Sequence, residues 1–202
     1  MKQLEMRFRR RGGRRKNAGR KPTNGRAGVS HLTREAFARL LPIHVTVRVA
    51  EHVYNLRSQR CFSVLARAFT AAGERFGVRI VQFSVMGNHV HLVVEASSNE
   101  ALARAMKGFA VRVARGLNRV MGRRGRVLGD RYHSHVLRTP TETRRALRYV
   151  RENAVHHGIV ARASDDRFAS HTADVALPLP HTWLLRVGWR RAPPLRDAQP
   201  SF

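Results

Sequence analysis

A chain with one cysteine, Cys61, has no partner for an internal disulfide, and that scarcity fits a reducing compartment. No apolar run approaches the length needed to span a bilayer, which makes an anionic membrane surface a weak candidate partner. The basic N-terminus lacks the apolar segment of a secretory signal, so the expected location is a bacterial-type cytoplasm. Acids are scarce as well: 13 Asp+Glu stand against 39 Lys+Arg, a formal charge of +26. An excess of that size implies an anionic polymer as partner, nucleic acid first, and a nucleoid-associated protein. Arg greatly outnumbers Lys, and the guanidinium fork suits bidentate phosphate contacts. No Asp/Glu cluster lies beside an expected strand, which disfavours a carboxylate two-metal nuclease. What is present suffices for one domain with a real core plus tails: 202 residues, 43% hydrophobic, with nine Phe.

The organising stretch is Arg79 to Glu95, RIVQFSVMGNHVHLVVE, two apolar runs meeting at a Gly-Asn pair, which is a hairpin signal. After the turn, Val90, Leu92 and Val94 fall on one face and His89, His91, Val93 and Glu95 on the other. Two imidazoles at i and i+2 leave a rigid strand in the same direction, roughly 7 Å apart at the backbone. They can converge on one small ion, or simply occupy a half-wet sheet face.

Residues 1–30 form a glycine- and arginine-rich tail, nearly free of large apolar side chains, that should not fold alone. Within it Asn17 to Pro22, with Arg20 and Lys21, resembles the short arms that lay Arg into the DNA minor groove; an unselective phosphate-binding tail is the simpler reading. The folded domain is expected over 41–158. His44 to Ala50 alternates as a strand, with Val45, Val47 and Val49 on one face. Phe62, Leu65, Phe69 and Phe76 mark an amphipathic helix over about Ser58 to Phe76. Ser97 and Glu100 offer a capping box for a second helix with the stripe Leu102, Met106, Phe109, Val113, Leu117 and Val120. Arg112, Arg115 and Arg119 lie on a different side of that helix. The link that follows carries Arg123, Arg124, Arg126 and Arg131 around three glycines. All seven arginines are candidate DNA contacts, or a solvated face. Tyr132 to Arg138 reads as a strand. Thr139, Pro140 and Glu142 give the clearest helix start in the chain, and Gly158 ends that helix after about His157. The order β-α-β-β-α-β-α predicts an α+β fold: a ferredoxin-like antiparallel sheet with helices packed mainly on one face. Residues 159–202 read as a partly ordered extension, with His181 to Trp189 as one short docked element.

On the last helix Tyr149 and Asn153 are four apart and share a face. Two neutral imidazoles and an amide oxygen make a three-ligand set with open positions, suited to Mg²⁺ or Mn²⁺ with room for phosphate oxygens. A phenol oxygen beside it could attack a phosphate in line. A second pair, His133 and His135, competes for the metal, and His156 and His157 for the third position. Tyr132 and Tyr54 compete as nucleophile, although Tyr132 lacks an Asn four residues on.

Met86-Gly87-Asn88-His89-Val90-His91-Leu92-Val93-Val94 resembles the His-hydrophobe-His (HUH) motif of the single-tyrosine transposases. Gly129-Asp130-Arg131-Tyr132 and Leu147 to Val155 are similar to the downstream pattern of the REP-associated tyrosine transposases, a likeness that spans about Ile43 to Gly158. Leu128 stands where that family usually has an aromatic residue, and Ala154 where it usually has proline. The resemblance implies His89, His91 and Asn153 as metal ligands and Tyr149 as nucleophile. It also implies single-stranded DNA, with a hairpin nearby, as substrate of a metal-dependent endonuclease and strand transferase that passes through a 5′-phosphotyrosine. The working unit would be a monomer or a homodimer. The rival class is a non-catalytic nucleic-acid-binding module or an inactive, domesticated transposase. RNA-recognition domains stack bases on strand aromatics, and this chain has histidines and aliphatics in those places.

Overall fold

The computed structural model describes residues 36–72, 74–75 and 77–194. The basic tail, Arg20 and Lys21 lie outside the described residues. The elements are β1 (Leu41–Arg48), α1 (Gln59–Ala72), β2 (Glu74–Arg75), β3 (Val78–Val85), β4 (His89–Ala96), α2 (Asn99–Val120), β5 (His133–Val136), α3 (Pro140–His156) and the short α4 (Trp183–Arg186). The sheet order is β2-β3-β4-β1-β5, with every neighbouring pair antiparallel. Apart from the two-residue β2, which falls where the sequence predicts continuing helix, this is the ferredoxin-like α+β plan.

The two sheet faces are covered differently. On one face the alternate residues Ile43, Val45 and Val47 of β1 and Val90, Leu92 and Val94 of β4 meet the apolar stripes of α1 and α2. Phe69 stacks on Phe83 of β3 at 4.2 Å between ring centroids and on Phe109 of α2 at 5.6 Å. Gly116 lets the two helices close up, since a Cβ there would meet Val64 Cγ1 at 2.3 Å. The opposite face carries α3, whose Ala146 and Val150 form a smaller apolar cluster with Val93, Leu137 and Leu185. Thus two of the three long helices share a face as expected, and α3 lies across the face that holds the histidines.

Helix ends follow local chemistry. Ser98, not the expected Ser97, caps α2 by accepting from the Ala101 amide. Thr139 and Glu142 form the reciprocal capping box of α3, with Pro140 as its first residue, and Gly158 at φ +63° ends it in the left-handed region. Helix α1 stops at Ala72, and Phe76 lies outside the described residues. The chain after Gly158 is tied to the sheet. Ala169 bridges Ser84 on the outer edge of β3, flanked by bonds from the Val85 amide to Phe168 O and from the Ser170 amide to Phe83 O. Arg57 and Asp166 pair at 2.8 Å, both side chains nearly or fully buried. Glu95, fully buried, is compensated by Arg79 and by the amides of His181 and Thr182. Among the described residues, no helix is long and apolar enough to cross a membrane.

Candidate active site: a histidine-lined cavity beneath a tyrosine

Strand pairing assembles the site. Thr46 of β1 sits opposite His91 of β4 and, on its other side, opposite His133 of β5; Arg48 sits opposite His89, and His44 opposite His135. Directly paired residues share a face, so these polar side chains all point toward α3. All of them except His135 bound a cavity of about 270 Å³ lined by His44, Thr46, Arg48, His89, His91, His133, Tyr149 and His157.

His91 is held from behind. Its Nδ1 lies 3.1 Å from His44 Nε2 and 3.1 Å from Thr46 Oγ1, while its Nε2 is buried without a hydrogen-bond partner. A proton on Nδ1 satisfies that geometry and leaves the Nε2 lone pair bare. His89 takes the same tautomer, since its Nδ1–H donates to Asn88 Oδ1 at 2.7 Å. The two rings meet edge to face, with centroids 4.8 Å apart. Burial pushes His91 down from 6.5 to about 2, with His44, His89, Arg48 and His157 adding to it. Burial also lowers His89 to about 4, aided by Arg48 and His157, and lowers His44 to about 4, aided by His133 and His135. All three are neutral imidazoles at neutral pH, the form that donates a lone pair to a cation.

Tyr149 stands over this pair, its ring centroid 5.1 Å from that of His91 and 6.0 Å from that of His44. Burial raises the phenol's pKa, and Arg48 opposes that rise. His156 stacks on Tyr149 at 6.3 Å, and His157 lies 6.3 Å from His89. Of the three tyrosines, Tyr54 is exposed and Tyr132 packs against the large core. Only Tyr149 lines the cavity.

Asn153 is fully buried one turn beyond Tyr149, and both its amide atoms lack hydrogen-bond partners. It does not line the cavity. Among the described residues no group of three or more His, Cys, Asp or Glu is placed to hold a metal. The two neutral imidazoles are donors that a divalent cation can use, His91 Nε2 having no hydrogen-bond partner and His89 bonding through Nδ1, and the cavity leaves space for phosphate oxygens and water.

The predicted DNA-contacting arginines are spread out. Arg112, Arg115 and Arg119 border a groove of about 360 Å³ between α1 and α2, together with Arg67, on the far side of the sheet from the histidines. Arg123 and Arg126 donate to backbone carbonyls of their own loop, at Arg126, Leu128 and Gly129. Arg124 is exposed and Arg131 half-buried. His133 and His135, the rival pair, are both exposed on β5. Sequence reasoning missed His44, Thr46 and Arg48. Their signal was available, because they alternate with the apolar Val45, Val47 and Val49 and must occupy the other face.

The fold and cavity together define a ferredoxin-like α+β protein with paired histidines on a central strand and a tyrosine on the helix above. The family model "Transposase IS200 like" matches residues 38–153, more than half of the chain, and the chain belongs to that family. Among solved structures it is similar to a REP-associated tyrosine transposase bound to a REP hairpin, with a TM-score of 0.58 and 17% identity over 70% of this chain and 82% of that one. A protein of Deinococcus radiodurans assigned as a transposase aligns with a TM-score of 0.42 and 16% identity, covering 63% of this chain and 96% of the other. The first likeness shows the shared fold. A search of curated proteins finds no match.

Proposed function

We propose that this transposase cuts and rejoins single-stranded DNA next to a hairpin, with Tyr149 as nucleophile and a divalent cation, Mg²⁺ or Mn²⁺, on His89 and His91. The observation that carries the reading is the placement of the one cavity-lining tyrosine beside two neutral imidazoles, of which His91 has an Nε2 without a hydrogen-bond partner. Bound there, the cation would supply charge withdrawal from the scissile phosphate. Asn153, with its orphaned amide on the helix that carries Tyr149, would be the protein's third donor.

Tyr149 Oη attacks phosphorus in line, the bond to the 3′ oxygen breaks, and the products are a 5′-phosphotyrosine and a free 3′-hydroxyl. The phenolic proton must leave, because burial keeps the phenol neutral. His133 and His157, the exposed imidazoles of the cavity, are the groups able to take it and to return it to the leaving 3′ oxygen. Arg48 lies where developing negative charge on oxygen needs compensation. Each phosphodiester is exchanged for another, so rejoining to a new 3′-hydroxyl needs no ATP. In this reading residues 41–158 carry the chemistry, residues 1–30 add basic contacts, and the protein works at the nucleoid in the cytoplasm as a monomer or homodimer.

The test is covalent capture. Labelled single-stranded oligonucleotide libraries, with and without hairpins, are incubated with the protein and Mn²⁺ or Mg²⁺, then resolved on denaturing gels and mapped by peptide. The expected adduct sits on Tyr149 and is lost with Tyr149→Phe, with His91→Ala and with chelator. A second reading, a DNA-binding descendant that no longer cuts, is favoured by one observation: Asn153 does not line the cavity. Tight, salt-sensitive binding without any adduct would establish it.

A further inference from the structure

The two histidines of β4 are secured by different means, and the difference singles out two residues of β1 that the transfer chemistry leaves unused. His89 is fixed locally. Asn88, its neighbour in the turn, holds its Nδ1 proton, and an amide oxygen can only accept. His91 is fixed across the strand pairing instead. Its Nδ1 is met by two side chains of β1, His44 Nε2 and Thr46 Oγ1, each at 3.1 Å. Neither partner dictates a tautomer alone, because an imidazole nitrogen and a hydroxyl can each donate or accept.

Their joint arrangement does dictate it. A ring nitrogen without a proton has one lone pair, in the ring plane, and directs it at one donor. A ring N–H, by contrast, can be shared between two acceptors in a three-centre bond. Two partners at equal distance therefore call for a proton on His91 Nδ1, with lone pairs of His44 Nε2 and Thr46 Oγ1 turned to it. The opposite assignment would move that proton to Nε2, which is buried without a hydrogen-bond partner. There it would be an unpaired donor in a ring that shares its cavity with the cationic Arg48. An unrestrained neutral imidazole keeps its proton mainly on Nε2, so His91 is held in its less favoured form. The hydrogen bond made by one ring nitrogen sets the state of the other.

We infer that His44 and Thr46 are positioning residues: together they hold the proton of His91 on Nδ1 and so keep Nε2 a bare lone pair, the form in which His91 can ligate. The inference rests on the metal reading for what that lone pair serves, while the tautomer belongs to the metal-free chain. It also places the proton of His44 on its own Nδ1, since His44 Nε2 has to accept.

The test begins without metal. Long-range proton–nitrogen spectra of the isotope-labelled full chain distinguish protonated from bare ring nitrogens. At neutral pH the wild-type chain should show both His91 and His44 protonated on Nδ1. Thr46→Val and His44→Phe each remove one acceptor, and each should move part of the His91 population to the Nε2–H form. The double variant should move most of it. Thr46→Ser and His44→Gln keep an acceptor oxygen and should retain the wild-type form. A packing role would give the reverse order, since Val and Phe fill apolar space better than Ser and Gln. Thr46→Val, nearly isosteric, carries the test alone where His44→Phe does not fold. Mn²⁺ is then titrated and the free ion read by its paramagnetic resonance. The double variant should raise the Kd about tenfold, as the loss of partners behind a metal ligand does, and the Ser and Gln variants should not. His91 protonated on Nε2 in the wild-type chain, or on Nδ1 in every folded variant, overturns the inference. So does Mn²⁺ affinity that stays constant while the tautomer shifts. Tautomers that shift as expected in a chain that binds no Mn²⁺ support the positioning pair and remove the metal reading.

Discussion

The two faces of this sheet are built from the same strands yet made of opposite materials. Beneath α1 and α2, the inward positions of β1, β3 and β4 are aliphatic or aromatic, and Phe69, Phe83 and Phe109 are fully or almost fully buried. Beneath α3, the same strands present His44, Thr46, Arg48, His89, His91 and Glu95, and several of those are buried too. The first face supplies the stability, since burial of large apolar side chains is the dominant favourable term. The second uses that stability to hold desolvated imidazoles that a smaller domain could not keep dry. Period-two alternation makes this division possible, because neighbouring residues on one strand serve different faces without compromise.

The largest expected effect comes from the apolar face. Phe69→Ala removes a ring stacked on two others and should cost about 3–5 kcal/mol in denaturant unfolding. Tyr149→Phe, on the other face and half-buried, should change stability by less than about 1 kcal/mol while abolishing the covalent adduct. Equal losses of stability from both would erase the contrast between the faces.

A smaller effect, again from the histidine face, appears on acidification of the metal-free protein. His44 and His89 are lowered to about 4 and His91 to about 2, from an ordinary 6.5. Below 6.5 the unfolded chain binds protons that the folded chain refuses, so ν_U exceeds ν_N and stability falls as pH falls. The contribution is whole above about 6.5 and is lost on descent toward 4, and for His91 toward 2. Each histidine adds up to about 1.4 kcal/mol per pH unit in that window. Urea unfolding at pH 7 and pH 5 should reveal the slope, and His44→Gln should reduce it by about a third, the shares of His89 and His91 remaining. A flat profile in the wild-type chain would mean that these rings are solvated after all.

How much of this was legible beforehand follows from what each signal depends on. The hairpin, the Thr139–Glu142 box, the Gly158 stop and the two apolar helix stripes are local, and all appear in the structure at or near the expected positions. Ser97 and Ser98 compete for one cap, and local pattern cannot separate adjacent serines; only Ser98 has the extended backbone with its hydroxyl on the Ala101 amide. The cavity depends on register between strands distant in sequence. His44 and Thr46 became site residues only when β1 paired with β4 so that Thr46 met His91. The β3 bulge between Ile80 and Gln82 was invisible for the same reason: RIVQFSV alternates imperfectly, and nothing local says which residue is extra. The docking of the chain after Gly158 rests on single long-range partners, Asp166 for Arg57 and Glu95 for two amides, which carry no periodicity.

The arginines sharpen the comparison, since they ask which face meets DNA. Arg112, Arg115 and Arg119 stand on the apolar-core side, away from Tyr149. If the DNA wraps that side, replacing all three with Ala should reduce the log–log salt slope of binding by about 2. Over a fourfold rise in salt, the variant should then lose about 15-fold less affinity than the wild type. An unchanged slope would restrict the DNA to the α3 side, with Arg148 and Arg151 as its nearer contacts.

The smallest effect tests whether the site depends on how α3 is anchored or only on what it carries. Thr139 accepts from the Glu142 amide, and Glu142 returns the contact to the Thr139 amide. Thr139→Ala should cost about 1 kcal/mol, loosening the first turn while Val150 and Ala146 stay packed on Val93 and Leu137. Tyr149 lies more than two turns from that end, behind the packed segment. The adduct yield should therefore stay within about twofold of wild type at a temperature where the variant remains folded. A large loss of adduct at full folding would instead show that the whole of α3 moves as one lever, and that its cap helps set the distance between phenol and imidazoles.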